Sequence, residues 1–410
     1  MRIVILSQFY PPEPVPLPEE LATALAERGH DVRVITGVPN YPTGNVYGGY
    51  RVRSRSVERR RGVVIRRVPL FPDHSANPIR RSVNYLSFAI AALSATGLVR
   101  RADVVYVYGT PLTAAVPALA WRRLFGTPFV LHVQDLWPES VTGSSLVHSR
   151  ATGMAHTLLS AFARAVYASA QTTIAIAPTM LRRIESQGVP SERTALVYNW
   201  GTAVPDTSRR ARPARDGHLH LVYAGNLGAM QDLETVLHAC RLLEDVPRFS
   251  LRLLGAGLMG ERLRVLAAEL GLANVTFSGY LNSEELEQAL DECDFQLIPL
   301  RNLDVFDGTI PSKLQASLSR GIPVITTVRG DVTRLVRRHR MGFTAEPENP
   351  GDLTRAIREA LQVDAAGREE MSRSCIAFAE RHMSREASVT AIERELQAAA
   401  GRGRPKPVSG

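Results

Sequence analysis

A chain of 410 residues with 45% hydrophobic and 22% charged side chains has the balance of a soluble globular protein of two or three domains. Its three cysteines, Cys240, Cys293 and Cys375, are scattered without ligand spacing, which argues against a disulfide framework or a zinc site and for a reducing compartment. The formal charge of +9 suits phosphate-bearing substrates or an anionic membrane surface, whereas the arginines lack the interleaved aromatics of a single-strand nucleic-acid platform, so no nucleic-acid partner is expected.

The first residues, MRIVILSQFYPPEP, have no long apolar segment and no small-residue cleavage site; they read as a buried strand entering a loop, and no secretion signal is expected. LPEELATALAERG follows as a helix, with Pro18 and the acids Glu19 and Glu20 at its start and Gly29 past its end. After the strand DVRVIT comes PNYPTGNVYGGYR (39 to 51), a Gly/Pro/Tyr loop that is either a binding surface or a structural turn and that contains Asn40 and Tyr41. The run RVRSRSVERRRGVVIRR (51 to 67) concentrates positive charge. LSFAIAALSATGLV (86 to 99), between Arg80, Arg81, Arg100 and Arg101, is shorter than the roughly 20 residues a bilayer span needs. It reads as a buried helix, or as a basic-flanked face leaning on an anionic membrane.

The strands DVVYVY, PFVLHV, TTIAIA and ALVYNW continue an alternation that implies a parallel sheet covered by helices, an α/β fold. LHVQDLWPES leaves Gln134 and Asp135 at the carboxyl end of a strand, where a carboxylate can orient a hydroxyl, accept its proton or cap the next turn. The polar stretch VPDTSRRARPARDGH marks a boundary near 205 to 217, and a second alternation starts at LHLVYAGN. The expected organisation is 1–204 as one doubly wound domain, 205–217 as linker, 218–383 as a second such domain, 384–400 as a closing helix packed back on the first domain, and 401–410 as a disordered tail. Two such domains in tandem are expected to bind ligand in a cleft at the carboxyl ends of their sheets.

In YAGNLGAMQDLETVLHA, Gly225, Asn226 and Gly228 stand between a strand and a helix, either as a plain tight turn or as a loop whose N–H groups approach an anion. In VFDGTIPSKLQASLSRG, Pro311 suits a first helical turn, so Thr309, Ser312 and Lys313 fall at a helix start. Of the 49 lysines and arginines only two are lysine, Lys313 and Lys406 in the tail. A solvated position in this chain is nearly always Arg, so Lys313 reads as a selected point charge beside a phosphate.

Together QFYPPEP, ELATALAERGHDVRVITGVPNYPTG, VLHVQDLWPES, VYNW, YAGNLGAMQDLETVL and TIPSKLQ with GIPVITT resemble the family-4 retaining glycosyltransferases of the GT-B fold, two Rossmann-like domains facing a cleft. The likeness is to the bacterial branch that adds amino or deoxy sugars to O-antigen and capsule. It implies retaining, metal-independent transfer of a hexose-type sugar from a nucleotide sugar, a UDP-sugar co-substrate, to a glycan, lipid-linked or small-molecule acceptor. It implies no other cofactor, and work in the cytoplasm, peripheral on the inner membrane face. By position it puts Gly225, Asn226, Gly228 and Gln231 in the donor phosphate loop, Gly279 and Tyr280 near the nucleotide, and Thr309 and Lys313 beside the diphosphate. Asp135 and Gln134 would meet the reacting sugar, and Asn40 and Tyr41 would lie on the acceptor side.

Several family positions differ. Two glutamates eight residues apart are here Gly308 and Ala316, the histidine after PFVLHV is Gln134, the basic pair of the donor loop is Asn226 and Gln231, and EPVPLP replaces a glycine pair. An inactive nucleotide-sugar-binding partner subunit, or an epimerase on a similar scaffold, are the alternative readings.

Overall fold

The computed structural model describes residues 1–53, 56–75, 77–137, 150–201 and 218–403. It divides into two compact units, Met1–Tyr198 with Ser388–Gly410, and Asn199–Ala387. The expected linker and all but the first residues of the expected tail lie outside the described residues, as does the end of DLWPES.

The first unit contains β1 (Arg2–Leu6), α1 (Leu17–Glu27), β2 (Asp31–Gly37), β3 (Ser56–Arg60), β4 (Val63–Val68), α2 (Pro78–Ala92), α3 (Thr96–Val99), β5 (Val104–Gly109), α4 (Val116–Phe125), β6 (Phe129–Val133), α5 (Arg150–Ser169), β7 (Thr172–Ala175), α6 (Pro178–Ser186) and β8 (Thr194–Leu196). Its sheet runs β3-β4-β2-β1-β5-β6-β7-β8. All pairings are parallel except β3 with β4. Central strands of a parallel sheet are covered on both faces, which is why β1 is apolar at consecutive positions and Ile3, Val4, Ile5 and Leu6 are all buried.

The arginine run is therefore an edge hairpin. Its outer strand β3 is largely exposed. Arg67 on β4 instead turns inward: its guanidinium bonds Glu58 at 2.7 Å and donates to the carbonyls of Gly37 at 3.2 Å and Pro11 at 2.5 Å. Part of the positive charge thus ties two strand ends together.

The apolar run also differs from its reading. Asn77 caps α2 by accepting from the N–H groups of Ile79 and Arg80, so the helix starts well before Leu86. With the turn after it and α3, the helical run Pro78–Val99 has 22 residues and a mean hydropathy of 1.4, long and apolar enough by those measures to cross a bilayer. Only a third of its apolar window is buried. The helix is neither wholly core nor wholly surface.

The second unit contains β9 (Leu219–Ala224), α7 (Leu233–Arg241), β10 (Phe249–Leu254), α8 (Gly260–Glu269), β11 (Val275–Gly279), α9 (Ser283–Glu292), β12 (Phe295–Ile298), α10 (Ser312–Ser319), β13 (Val324–Thr326), α11 (Asp331–Arg338), β14 (Gly342–Thr344), α12 (Pro350–Leu361) and α13 (Ala365–His382). Its sheet, β11-β10-β9-β12-β13-β14, is wholly parallel. Leu221, Tyr223, Leu251, Leu253, Phe295 and Leu297 carry its core from the strands. Both sheets belong to the α/β class that the alternation implies.

The last helix, α14 (Arg385–Gly403), joins the first unit from Ser388 onward. Val389, Ile392, Leu396 and Ala399, spaced along one face, are fully buried. Glu393 accepts from Arg28 at 2.5 Å and meets His30 Nε2 at 2.7 Å, while Arg28 also reaches Thr390 at 2.9 Å. These bonds, His30 first, hold the Glu393 carboxyl below its ordinary value. A depressed carboxyl stabilises the fold above its unfolded value and loses that effect as pH falls through the folded one. Glu393→Gln should cost about 1 to 2 kcal/mol at neutral pH. In urea unfolding that difference should shrink as pH falls below the ordinary value of 4.5.

Candidate functional site

In the second unit three parallel strands end side by side, and glycines lie where their backbones meet. Gly225 follows β9 at φ +148°, and a Cβ there would lie 2.5 Å from Lys313 Cε and 2.6 Å from Nζ. The lysine stem thus lies directly against that backbone. A Cβ on Gly255, after β10, would stand 2.0 Å from the Gly225 carbonyl oxygen, and one on Gly257 would meet the Leu227 carbonyl at 2.5 Å and the Asn226 side chain at 2.6 Å. Around Gly228 the Asn226 amide and the Gln231 side chain close in, at 2.6 and 2.7 Å from a Cβ position. Gln231 Oε1 is buried with no hydrogen-bond partner among the described residues.

The loop is held from below. Tyr223 donates its hydroxyl to the Asn226 carbonyl at 2.5 Å. Asp232, in the left-handed region at φ +48°, accepts from Thr235 at 2.9 Å and from the Glu348 N–H at 3.2 Å. Arg301 donates to the Ala229 carbonyl at 2.9 Å and lies 3.9 Å from Glu234, so its charge is already engaged.

Lys313 is in the first turn of α10, after the cap Pro311. Its Nζ stands 5.2 Å above the centre of the Tyr223 ring. Burial alone pushes its pKa below the ordinary 10.5, and no carboxylate contributes. A half-buried ammonium with no carboxylate partner among the described residues is an arrangement that gains from an anion. Thr309 precedes the helix by three residues and is half-buried. Gly279 ends β11 at φ +69°, and the exposed Tyr280 lines a cavity of about 430 Å³ together with Gly225, Asn226, Leu254, Gly255 and Leu286. Gly308 and Ala316 offer no carboxylate at either end of this segment.

The sequence reading singled out neither Gly255 and Gly257 nor Tyr223. SLRLLGAG carried a signal, since two glycines straight after a strand mark a close backbone approach. Tyr223 carried none, because a tyrosine inside a strand reads as core.

In the first unit, Asp135 stands just beyond β6, and Thr110 Oγ1 donates to it at 3.3 Å. Surrounding protein raises its carboxyl above 3.8, and the Thr110 bond works the other way. The residue is nonetheless exposed to solvent. Gln134 beside it is half-buried. The nearby His132 is a core residue: its ring meets the Tyr106 hydroxyl at 2.6 Å, and burial brings its pKa down to about 3, keeping it neutral.

Asn40 and Tyr41 have roles inside the domain. Glu13, buried in the loop after β1, accepts from the N–H groups of Asn40 at 2.8 Å, Tyr41 at 2.9 Å and Tyr10 at 3.0 Å. Burial raises its carboxyl and these three bonds oppose the rise. The Asn40 amide donates to the Val38 carbonyl at 3.0 Å and accepts from Asn84 of α2 at 3.3 Å. Asn84 also bonds Gln8 at 2.7 Å and the Phe71 carbonyl at 2.7 Å. Tyr41 is half-buried, its ring 5.1 Å from Phe9 and 4.7 Å from His74. Glu13→Ala should strand three N–H donors and cost roughly 3 kcal/mol in urea unfolding, with faster amide exchange at Asn40 and Tyr41.

Residues 18–200 match the family described as glycosyl transferase 4-like domain, and residues 205–382 match glycosyl transferases group 1. The putative colanic acid biosynthesis glycosyl transferase WcaI of Escherichia coli is 27% identical, over 88% of this chain and 92% of its own. The probable glycosyltransferase WbjE of Pseudomonas aeruginosa is 23% identical over 68% and 72%. Among solved structures, HepE of Anabaena in complex with UDP has a TM-score of 0.63 at 16% identity, over 97% of this chain and 100% of the other. WaaG, a glycosyltransferase involved in lipopolysaccharide biosynthesis, has 0.62 at 16%, over 98% and 100%. The two domain matches follow one another over most of the chain, which belongs with the family-4 glycosyltransferases of the GT-B fold.

Proposed function

We propose that this glycosyltransferase is a retaining, metal-independent enzyme that moves a hexose-type sugar, amino or deoxy sugars included, from a UDP-sugar to a glycan or lipid-linked acceptor at the inner membrane face. The observation that carries the reading is Lys313: a partly desolvated ammonium with no carboxylate partner among the described residues, lying against the side-chain-free backbone of Gly225. A diphosphate supplies the missing charge, and the loop from Gly225 to Gln231 supplies donors and small residues around it. The cavity beside Gly225 and Tyr280 suits the nucleoside end. HepE, which shares the fold, was solved with UDP, and WcaI is described by its name as acting in colanic acid biosynthesis.

In this reading the second unit binds the donor and stabilises the leaving diphosphate through Lys313. The first unit supplies the acceptor side, with Asp135 orienting or deprotonating a hydroxyl. Charge neutralisation is assigned to the lysine rather than to a metal ion. The loss of carboxylates at Gly308 and Ala316 favours one other reading, a nucleotide-sugar-binding subunit without turnover.

Lys313→Ala should lower turnover on the order of a hundredfold or more, the worth of one preorganised charge at a developing anion. In thermal shift, UDP at a hundred times its dissociation constant should stabilise the wild type by about 2.7 kcal/mol, and most of that should vanish in the variant. Near-normal turnover of Lys313→Ala at saturating donor would sink the assignment. A wild type that is stabilised by UDP but neither transfers nor hydrolyses a labelled donor sugar would establish the binding subunit instead.

Gly225→Ala probes the same contact from the other side. Its Cβ would displace the Lys313 ammonium, so UDP affinity should fall by roughly tenfold, while stability falls by only about 1 kcal/mol from the strained φ. Isothermal titration and urea unfolding separate the two effects.

A further inference from the structure

The loop after β2 ends against a buried arginine. The Arg67 side chain is 2% exposed, and its bonds to Glu58, Gly37 and Pro11 fix where the guanidinium lies. The Tyr50 ring packs on that plane at 4.8 Å. The loop leading to Tyr50 is bonded to itself: the Tyr47 N–H donates to the Pro39 carbonyl at 3.1 Å, the Tyr47 hydroxyl to the Tyr41 carbonyl at 2.8 Å, and the Tyr50 N–H to the Tyr47 carbonyl at 3.1 Å. Asn40, Tyr41 and Tyr50 thus belong to one held segment.

Beside that segment is a cavity of about 440 Å³, with Tyr50, Arg51, Arg53, Ser56, Glu58 and Arg67 in its lining. The volume falls within the roughly 300 to 1,000 Å³ of small-ligand sites. Glu58 is bonded to Arg67 at 2.7 Å, so that pair brings no net charge. Arg51 and Arg53 are exposed and have neither a hydrogen bond nor an ion pair among the described residues. Two like charges on one cavity repel, and an anion between them replaces the repulsion with two attractions. Tyr50 and Ser56 bring hydroxyls to the same lining.

We propose that this cavity binds a phosphoryl group carried by the acceptor. Two guanidinium forks and two hydroxyls match the several oxygens and double charge of a phosphoryl group better than the two oxygens and single charge of a carboxylate. The cavity lies at the carboxyl edge of the sheet. Val38, which follows β2, is in its lining, Arg67 is next to the last residue of β4, and Ser56, the first residue of antiparallel β3, is registered with Arg67. Through Tyr50 the site is continuous with the loop of Asn40 and Tyr41. The inference rests on the acceptor-side reading of the first unit for the source of the phosphoryl group, whereas the cavity and its uncompensated charge stand without it.

The test is isothermal titration of the full chain, with excess UDP present to fill the donor site, against glucose 1-phosphate, inorganic phosphate and glucuronate. Glucose 1-phosphate should bind the wild type, and about tenfold or more weakly in Arg51→Ala with Arg53→Ala, because two charge-assisted contacts are removed. Both arginines are exposed, so their truncation leaves the core as it is. Arg59→Ala with Arg61→Ala takes the same charge from exposed positions of the same hairpin outside the cavity, and affinity should stay within about twofold. Equal weakening by the two pairs, or a wild type that binds none of the three compounds, overturns the site. Glucuronate binding as tightly as glucose 1-phosphate overturns the phosphoryl assignment. Inorganic phosphate binding as tightly as the sugar phosphate overturns the acceptor as its source and makes this a site for the free anion. The UDP-induced thermal shift should be unchanged in both arginine pairs. Its absence from the wild type would strike the donor-site reading alone, since the dependence on Arg51 and Arg53 is read separately.

Discussion

A parallel sheet delivers the carboxyl ends of all its strands to one edge, and everything that follows each strand must share that edge. In the second unit β9, β10 and β11 meet this constraint with almost no side chain between them. The Gly225 carbonyl occupies the space where a Cβ on Gly255 would be, and Gly257 makes room for the Leu227 carbonyl and the Asn226 side chain. That closeness lets the three strand ends bond one another, Gly225 N–H to the Leu254 carbonyl at 2.8 Å and Gly255 N–H to the Gly279 carbonyl at 2.6 Å, with a lysine stem lying against Gly225. A larger residue at any of the three glycines forces either the strand ends or the lysine to move.

The first unit solves the same problem with polar side chains. Where its loops converge after β1 and β2, a buried carboxylate, Glu13, gathers three N–H groups that would otherwise be orphaned, and Asn84 bridges the Gln8 segment, the Asn40 loop and the Phe71 segment. Buried polar clusters of this kind hold one arrangement because any other leaves donors unpaired. One edge is shaped by missing atoms and the other by hydrogen-bonded side chains, which fits a rigid anion cradle in one unit and a shaped loop surface in the other.

Local periodicity made the architecture legible. Alternating strand and helix patterns gave both parallel sheets, and the small residues of YAGNLG marked the loop where Lys313 lies. What escaped depends on partners distant in sequence. The run from 51 to 67 reads only as a concentration of positive charge until Arg67 is seen to reach Pro11 and Gly37. Asn40 looks like a binding residue, since nothing nearby announces that Asn84, forty-four positions away, engages its amide. The α2 run looked short because its cap, Asn77, sits before a polar first turn that interrupts the apolar pattern. The apolar composition was visible, but which face the domain covers is set by the tertiary contacts of Asn84 and Phe88.

That position 313 is a lysine in a chain so rich in arginine becomes intelligible from the space at Gly225. With Lys313 Cε only 2.5 Å from the position of a Cβ there, the gap between the loop backbone and the Tyr223 ring admits a slim stem and a compact ammonium. A guanidinium is a wide plane with its donors fixed in a fork, and it needs more room to aim them. The departure at Ala316 belongs to the same logic. Position 316 is three residues after Lys313 on α10, so the two side chains are neighbours on one helix face. A glutamate at 316 could pair with the ammonium and quench it, whereas alanine leaves the charge to whatever enters the loop. Loss of that carboxylate therefore preserves the feature on which the donor-site reading rests, an unneutralised cation held against bare backbone.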